Sequence, residues 1–228
     1  GAAVARYALC PYLVILKADS ADDLAGSIAD YSAIAQDGST ATSVDLSSLA
    51  AGRNVYVGSA IPFRGVHIDV DTTNSTGSTV VTVSYWNGSE WVDTSDTDGT
   101  ISGGISLAQD GAVTWTVPSA WVSSSLVKID RSVNSSLHWR DVSMYWTKWT
   151  WSHAMDSTVT LDHMLGLNES TAYAEVPASL GTGMRIHHGF GSNGIAGIET
   201  LTNAGTGNML VTCSALNGYF STGTLTTV

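Results

Sequence analysis

The chain has 228 residues, of which 43% are hydrophobic and 13% charged. Its length suits one large domain, or a domain with an appendage, that folds without metals or disulfides. Nine Lys and Arg stand against 20 Asp and Glu, so the formal net charge is -11. Because this charge repels nucleic-acid phosphates and anionic lipids, we expect neither a nucleic acid nor a membrane as partner.

The chain opens with an apolar run over residues 8–16, interrupted by Pro11. The run is too short to cross a bilayer, so we interpret it as a strand or a packing arm. Its candidate interface residues are Tyr12, Leu13 and Val14.

A helix is predicted directly after this run. Asp19 and the residues that follow it offer an N-cap with acidic first-turn residues, and Leu24, Ile28 and Tyr31 recur near helical spacing. This pattern predicts one short helix over about 20–34. We therefore interpret residues 1–52 as an N-terminal arm that contains this helix.

From residue 55 the hydrophobic period falls to two. Residues 66–71 alternate strictly, which predicts a strand with its three apolar side chains inward and with Asp69 and Asp71 outward. A second strand is predicted over 79–86. Asn87-Gly88 follows it between two aromatic-bearing segments, which is a strong hairpin signal.

More short strands are predicted further along the chain. Residues 111–117 form one that ends at Pro118, and 126–129 is either a strand or a bend. In the strand over 144–151, Trp149 and Trp151 share a face with Tyr145, whereas Trp146 and Lys148 take the other face. This strand is either central in a sandwich or exposes Trp146 as a candidate interface residue. A further strand is predicted over 157–161.

Many short strands with Gly, Asn and Ser turns predict a mainly β fold, an antiparallel sandwich or jelly roll over residues 53–165. Irregularly spaced glycines punctuate the chain after Leu165. We interpret residues 166–228 as a Gly-rich β extension that packs on the sandwich or on a neighbouring subunit. Cys10 and Cys213 are interpreted as separate buried thiols, because each has apolar neighbours, and a disulfide between them is the alternative.

One pattern in the middle of the chain resembles a known family. It consists of Tyr85-Trp86-Asn87-Gly88-Ser89-Glu90-Trp91, then Asp98-Gly99-Thr100, then a third stretch that contains Trp115, Pro118 and Trp121. Together these stretches resemble the signature of jelly-roll modules in virion proteins of tailed bacteriophages. The resemblance covers about residues 53–165.

The signature residues also have a direct physical interpretation. Asn87-Gly88 suits a tight hairpin turn, Pro118 ends a strand, and the large rings close one end of a sandwich. We therefore expect a structural role for the whole motif: Trp86, Asn87, Gly88, Trp91, Trp115, Pro118 and Trp121.

Three groups of residues were candidates for chemistry. Asp93, Asp96 and Asp98 lie in one loop, but their spacing is not that of an EF-hand, and a solvated acidic turn is favoured. His187 and His188 are adjacent, so on a strand their rings would point to opposite faces.

The third group is His153, Asp156 and His163, which are close in sequence but lack metalloprotease spacing. The sequence has neither a phosphate-binding loop nor a nucleophile elbow. We therefore predict no enzyme activity, no cofactor and no metal.

The resemblance implies a non-enzymatic virion structural protein. The leading hypothesis is a capsid decoration or cement protein on the capsid exterior, whose partners are the major capsid protein and copies of itself in a homotrimer. The alternative is a tail or fibre module that binds host-surface glycans through an exposed ring, Trp146 or Trp86. A connector or tail terminator is a third hypothesis.

Overall fold

The structure is a computed structural model. It describes residues 12–37 and 39–167 with their side chains, and residues 4–8, 168, 173–177, 200–203, 209–212 and 224–225 by their backbone. The strands in chain order are β1 (Val4–Ala8), β2 (Val14–Ala18), β3 (Ile28–Asp30), β4 (Val44–Asp45), β5 (Asn54–Ser59), β6 (Phe63–Thr72), β7 (Val81–Trp86), β8 (Trp91–Asp93), β9 (Thr97–Asp98), β10 (Gly111–Thr114), β11 (Tyr145–Trp151), β12 (Thr160–Asn168), β13 (Tyr173–Pro177), β14 (Thr200–Asn203), β15 (Met209–Thr212) and β16 (Thr224–Leu225). One short helix, α1, spans Leu126–Ile129.

The chain divides into two compact units. One unit is Cys10–Ser170, and the other combines Gly1–Leu9 with Thr171–Val228. In the second unit β1 pairs antiparallel with β13, and β14, β15 and β16 form a three-stranded antiparallel sheet. The two ends of the chain thus contribute strands to the same unit.

The unit Cys10–Ser170 contains two antiparallel sheets. The six-stranded sheet has the order β3-β2-β5-β11-β7-β8, and the five-stranded sheet has the order β4-β12-β6-β10-β9. The chain crosses between the sheets from β5 to β6 to β7, and again from β10 to β11 to β12. The predicted mainly β antiparallel sandwich is confirmed.

Apolar side chains from both sheets form a single core between them. Period-two alternation puts Val66 and Ile68 of β6 on this inner face, as predicted, and Trp149 and Trp151 of β11 lie opposite. Each of these side chains is almost fully buried. Their burial is the main stabilising contribution to the sandwich, at roughly 25 cal/mol per Å² of apolar surface.

The outer face of the six-stranded sheet is partly covered by a third layer. Residues 124–143, including α1, and residues 19–28 pack over it, and Leu24, Leu126 and Val133 form a second apolar cluster with Trp146. We call these two segments the covering layer. Because β2 lies between this layer and the core, all five of its residues are buried.

Two predictions about the first 52 residues are wrong. The helix expected over 20–34 is replaced by 3-10 turns at Asp23–Ala25 and Ile34–Gln36, with strand β3 between them. The expected arm is part of the sandwich from residue 12 onward, because β2 is hydrogen-bonded between β3 and β5. Strand pairing outweighed the local helical spacing.

The hairpin at Asn87-Gly88 is confirmed, with a different role for Asn87. Strands β7 and β8 pair with Trp86 opposite Trp91, and Gly88 has a φ of 102°. The Asn87 side-chain oxygen accepts hydrogen bonds from the main-chain N–H groups of Ser89 and Glu90, both at 2.9 Å. Asn87 therefore closes the loop with its side chain, and only Gly88 supplies the positive φ.

Candidate functional site

The two signature tryptophans that follow β10, Trp115 and Trp121, lie in the core of the sandwich. Trp115 and Trp121 are 6% and 7% exposed, and both rings contact Phe63, with centroid distances of 5.5 and 5.1 Å. The Nε1–H of Trp115 donates to the main-chain oxygen of Phe63 at 3.0 Å, and that of Trp121 donates to the oxygen of Trp146 at 3.1 Å. These two rings pack inside the protein and present no platform to a ligand.

Three of the candidate interface residues lie in the interior. Leu13, Val14 and Trp146 are each 0% exposed, and only Tyr12 is half-buried. The covering layer encloses Trp146, whose Nε1–H donates to the main-chain oxygen of Ser124 at 2.9 Å. The expectation that Leu13, Val14 and Trp146 form an interface is therefore corrected: they pack within the chain.

The glycan platform suggested at Trp146 or Trp86 is also corrected. Trp86 is only 8% exposed, and its ring stands edge-on to Trp91 at a centroid distance of 5.4 Å. Among the rings of Trp86, Trp91 and Trp146, only that of Trp91 is half-exposed.

The loop carboxylates considered for Ca²⁺ are held by hydrogen bonds from the protein. Asp98 accepts from the hydroxyls of Thr100 and Ser106, and Asp96 accepts from the main-chain N–H of Val83 at 2.9 Å. Burial raises the pKa of Asp96, and its hydrogen bond from Val83 acts in the opposite direction. These contacts give the carboxylates a structural role in the loop.

The histidines near β12 are separated. His163 lies beside Asp69, with 3.3 Å between Nδ1 and Oδ2, whereas His153 contacts Ser152. Asp156 instead accepts hydrogen bonds from the hydroxyls of Ser75 and Thr76. His187 and His188 lie outside the described residues, as do Cys10 and Cys213. Across residues 12–37 and 39–167, no three His, Cys, Asp or Glu side chains are grouped so that they could hold a metal.

A β-bulge lies beside His163, on the five-stranded sheet. The register of β12 against β6 shifts between Leu161 and His163, which makes Asp162 the additional residue. Burial raises the pKa of Asp162, and the neighbouring charges of Asp71 and Asp69 add to the effect. Three carboxyl groups, those of Asp69, Asp71 and Asp162, therefore lie near one another on this sheet.

The sequence did not predict the most distinctive polar site on the six-stranded sheet. Its outer face carries Lys148 opposite Ser84 and Tyr56 at the border of the covering layer, with the ring of Trp91 beside them. The Lys148 ammonium lies 5.4 Å from the centroid of the Trp91 ring, within cation–π range. We call the half-buried or exposed residues of this face the Trp91–Lys148 shelf: Asn54, Thr82, Ser84, Trp91, Lys148 and Thr150.

One side of the shelf is bordered by a buried tyrosine. The Tyr56 hydroxyl donates to Oδ2 of Asp23 at 2.7 Å, and the Tyr56 ring lies 5.7 Å from that of Trp91. Burial raises the pKa of Tyr56, and the negative charge of Asp23 raises it further. Tyr56 therefore stays protonated and anchors Asp23, which has a φ of 50°, beside the shelf.

The cation of the shelf has no acceptor in the described part of the chain. No described residue accepts a hydrogen bond from the Lys148 ammonium or forms an ion pair with it. No described residue accepts a hydrogen bond from the Trp91 Nε1–H either. Burial lowers the pKa of Lys148, and the charge of Asp23 partly offsets this shift. The shelf therefore presents hydrogen-bond donors beside an aromatic ring.

Part of this site could have been found from the sequence. The alternation of β11 correctly put Lys148 on the face opposite Trp149, and the Asn-Gly turn put Trp91 on the strand next to β7. Neither signal shows that the ring of Trp91 reaches across β7 to Lys148 of β11. That contact depends on side-chain packing between residues 57 positions apart.

Comparisons with protein-family models, with curated proteins and with solved structures gave no match for this chain. Over the residues that the structure describes, no helix is both long enough and apolar enough to cross a membrane.

Proposed function

We propose that this chain is a non-enzymatic structural protein of a tailed-bacteriophage particle, working as a capsid decoration or cement protein. In this role it lies on the capsid exterior and stabilises the head through contacts with the major capsid protein and with other copies of itself, as a homotrimer. The proposal combines the resemblance of the sequence motif with the position of its residues in the fold.

The observation that carries the proposal is that the signature residues build a β-sandwich. Gly88 provides the turn with a positive φ, and Trp115 and Trp121 fill the core beside Phe63. The resemblance implies a module of this architecture. A glycan-binding function would require Trp86 or Trp146 on the surface, but both are buried. Their burial favours a scaffold that works through its surface and its strand edges.

Short strands at the sheet edges suit assembly with other proteins. β3 and β8 border the six-stranded sheet, and β4 and β9 border the five-stranded sheet. Edge strands offer main-chain N–H and C=O groups to which another chain can add a strand. Strand β1, which pairs with β13 in the second unit, supplies a further edge near the start of the chain.

The direct test is to locate the chain in purified particles of the phage that encodes it. Mass spectrometry should find the chain in particles that have been washed free of lysate proteins. Antibodies against the chain should label the heads of intact particles in electron micrographs, since the proposed site is on the outside.

Three results would contradict the proposal. A chain found only in the lysate would remove it from the particle altogether. Labelling confined to the tail would favour the fibre alternative, and rings of six or twelve copies of the purified protein would favour a connector or terminator.

A further inference from the structure

We propose that the Trp91–Lys148 shelf is a binding site for a saccharide that carries a carboxylate. The half-buried Lys148 ammonium has no acceptor among the described residues, and it lies 5.4 Å from the centroid of the half-exposed Trp91 ring. The inference goes beyond the structural role proposed above and does not depend on it.

The charge of the shelf selects an anion. Lysine provides three N–H donors and no acceptor, and the Nε1–H of Trp91 is likewise a donor only. A carboxylate can accept from either donor, and hydrogen bonds between ionised partners are about twice as strong as neutral ones. In a chain with a net charge of -11, Lys148 gives this face a local attraction for negative charge.

The aromatic ring selects a ligand with an apolar surface next to its carboxylate. Trp91 is held in place by Tyr56 at 5.7 Å and by Trp86 at 5.4 Å, and its ring retains exposed surface. Because the orientation of this large amphipathic ring is already fixed, its side chain loses little conformational entropy when a ligand binds to it. The C–H groups of a pyranose ring provide a matching surface.

The hydroxyl side chains of the shelf favour a sugar over an acidic peptide. Ser84 lies opposite Lys148 and Thr82 opposite Thr150 on adjacent strands, roughly 4.8 Å apart in the pairing direction. No described residue is hydrogen-bonded to the hydroxyls of Thr82 and Ser84, and hydroxyls both donate and accept. They can match the hydroxyls of a sugar. A peptide lying along β7 and β11 would find their main-chain groups already used in the sheet.

The test is a titration of the full-length protein with glucuronate, followed by NMR of the tryptophan indole N–H signals. Trp91→Phe assigns the signal of Trp91. Glucose is the neutral counterpart, and a short poly-glutamate peptide represents an acidic protein partner. Lys148→Met removes the proposed cation, and Lys128→Met removes the same charge from an exposed position on α1.

We expect glucuronate to shift the Trp91 signal with a Kd on the order of 1 mM, as is usual for a single small ligand on an open surface. Lys148→Met should weaken this binding by about tenfold or more, and Lys128→Met should leave it unchanged. Glucose should bind more weakly than glucuronate, and added salt should reduce the difference.

Several results would overturn the inference. They are an absence of any shift with glucuronate, equal binding of glucuronate and glucose, and unchanged binding in a Lys148→Met protein. A response to poly-glutamate but not to glucuronate would assign the shelf to a protein partner instead. Thermal melting of each variant checks that it is folded. The outcome leaves the virion proposal untouched, because that proposal is tested by particle composition.

Discussion

Gly58 and Trp146 lie opposite each other on β5 and β11, and the missing side chain of the glycine makes room for the indole ring. A Cβ atom at Gly58 would lie 2.6 Å from the Cε3 and Cζ3 atoms of Trp146. The ring itself is fully buried beneath the covering layer. This close approach allows a large side chain to fill the space between the sheet and that layer.

Gly58→Ala should therefore destabilise the protein. Overpacking of a closed site costs roughly 1–3 kcal/mol, because the ring and the layer above it must shift. For a protein of this size each kcal/mol lowers the Tm by roughly 2–4 °C. Gly77→Ala is the matched control, since a Cβ there meets nothing within 4 Å. Equal melting temperatures for the two variants would contradict the proposed fit.

Trp121→Ala should cost about 3–5 kcal/mol of unfolding free energy, measured by denaturant titration. The substitution empties the space beside Phe63 and leaves the main-chain oxygen of Trp146 without its donor at 3.1 Å. The neighbouring Val122 is 43% exposed, so Val122→Ala should change stability little. A mild effect of Trp121→Ala would show that the signature ring is not a core residue.

Asp156 should make stability sensitive to acid. Hydrogen bonds from the hydroxyls of Ser75 and then Thr76 hold its pKa below the ordinary value. A depressed pKa in the folded state means that Asp156 stabilises the fold above about pH 4 and loses this contribution as pH falls through the folded pKa.

Asp156→Asn should thus lower the Tm at neutral pH and reduce its further loss on acidification. The exposed Asp141, which lacks these hydroxyl donors, provides the control substitution Asp141→Asn. Parallel curves of Tm against pH for the wild type and Asp156→Asn would refute this role.

Asp162 should make the protein less stable as the pH rises, the opposite of the effect of Asp156. Burial, followed by the charges of Asp71 and Asp69, raises its pKa in the folded state. The ionised form is therefore disfavoured by the fold, and stability falls as pH rises from the unfolded pKa through the folded one. Asp162→Asn should raise the Tm at neutral pH and lose this advantage in acid, when the wild-type carboxyl is itself neutral. A lower Tm of the variant at neutral pH would show that the carboxylate is needed in the bulge.

Two N-terminal deletions should show that the sandwich needs β2 in order to fold but does not need β1. Deletion of residues 1–18 removes β2, whose residues are all buried between β3 and β5, and should abolish the cooperative melting transition. Deletion of residues 1–9 removes β1 but leaves the unit Cys10–Ser170 complete. Near-ultraviolet circular dichroism of the buried tryptophans should be preserved in the shorter deletion and lost in the longer one. A folded sandwich without β2 would contradict the described topology.

The faces of the central strands were predictable because period two fixes them. On β11, Trp149 and Trp151 point to the core and Trp146 to the other side, as the alternation required. The Asn-Gly hairpin followed from an equally local rule, since a positive φ favours glycine. The segment over 20–34 was mispredicted because helical spacing there is weak and pairing of β3 with β2 outweighed it. The Trp91–Lys148 contact was missed because it joins distant parts of the chain.

From its sequence, this chain was identifiable as a mainly β protein, and the apolar side of its alternating strands, such as β6 and β11, was predictable. The partner of each apolar side, in contrast, is known only from the folded chain. For β11 the inner side meets the opposite sheet, whereas on the outer side Trp146 meets a layer from residues 124–143 that has no periodic pattern of its own. The physical reason is that periodicity reports which side chains share a face, whereas the partner of that face is set by packing between segments far apart in sequence.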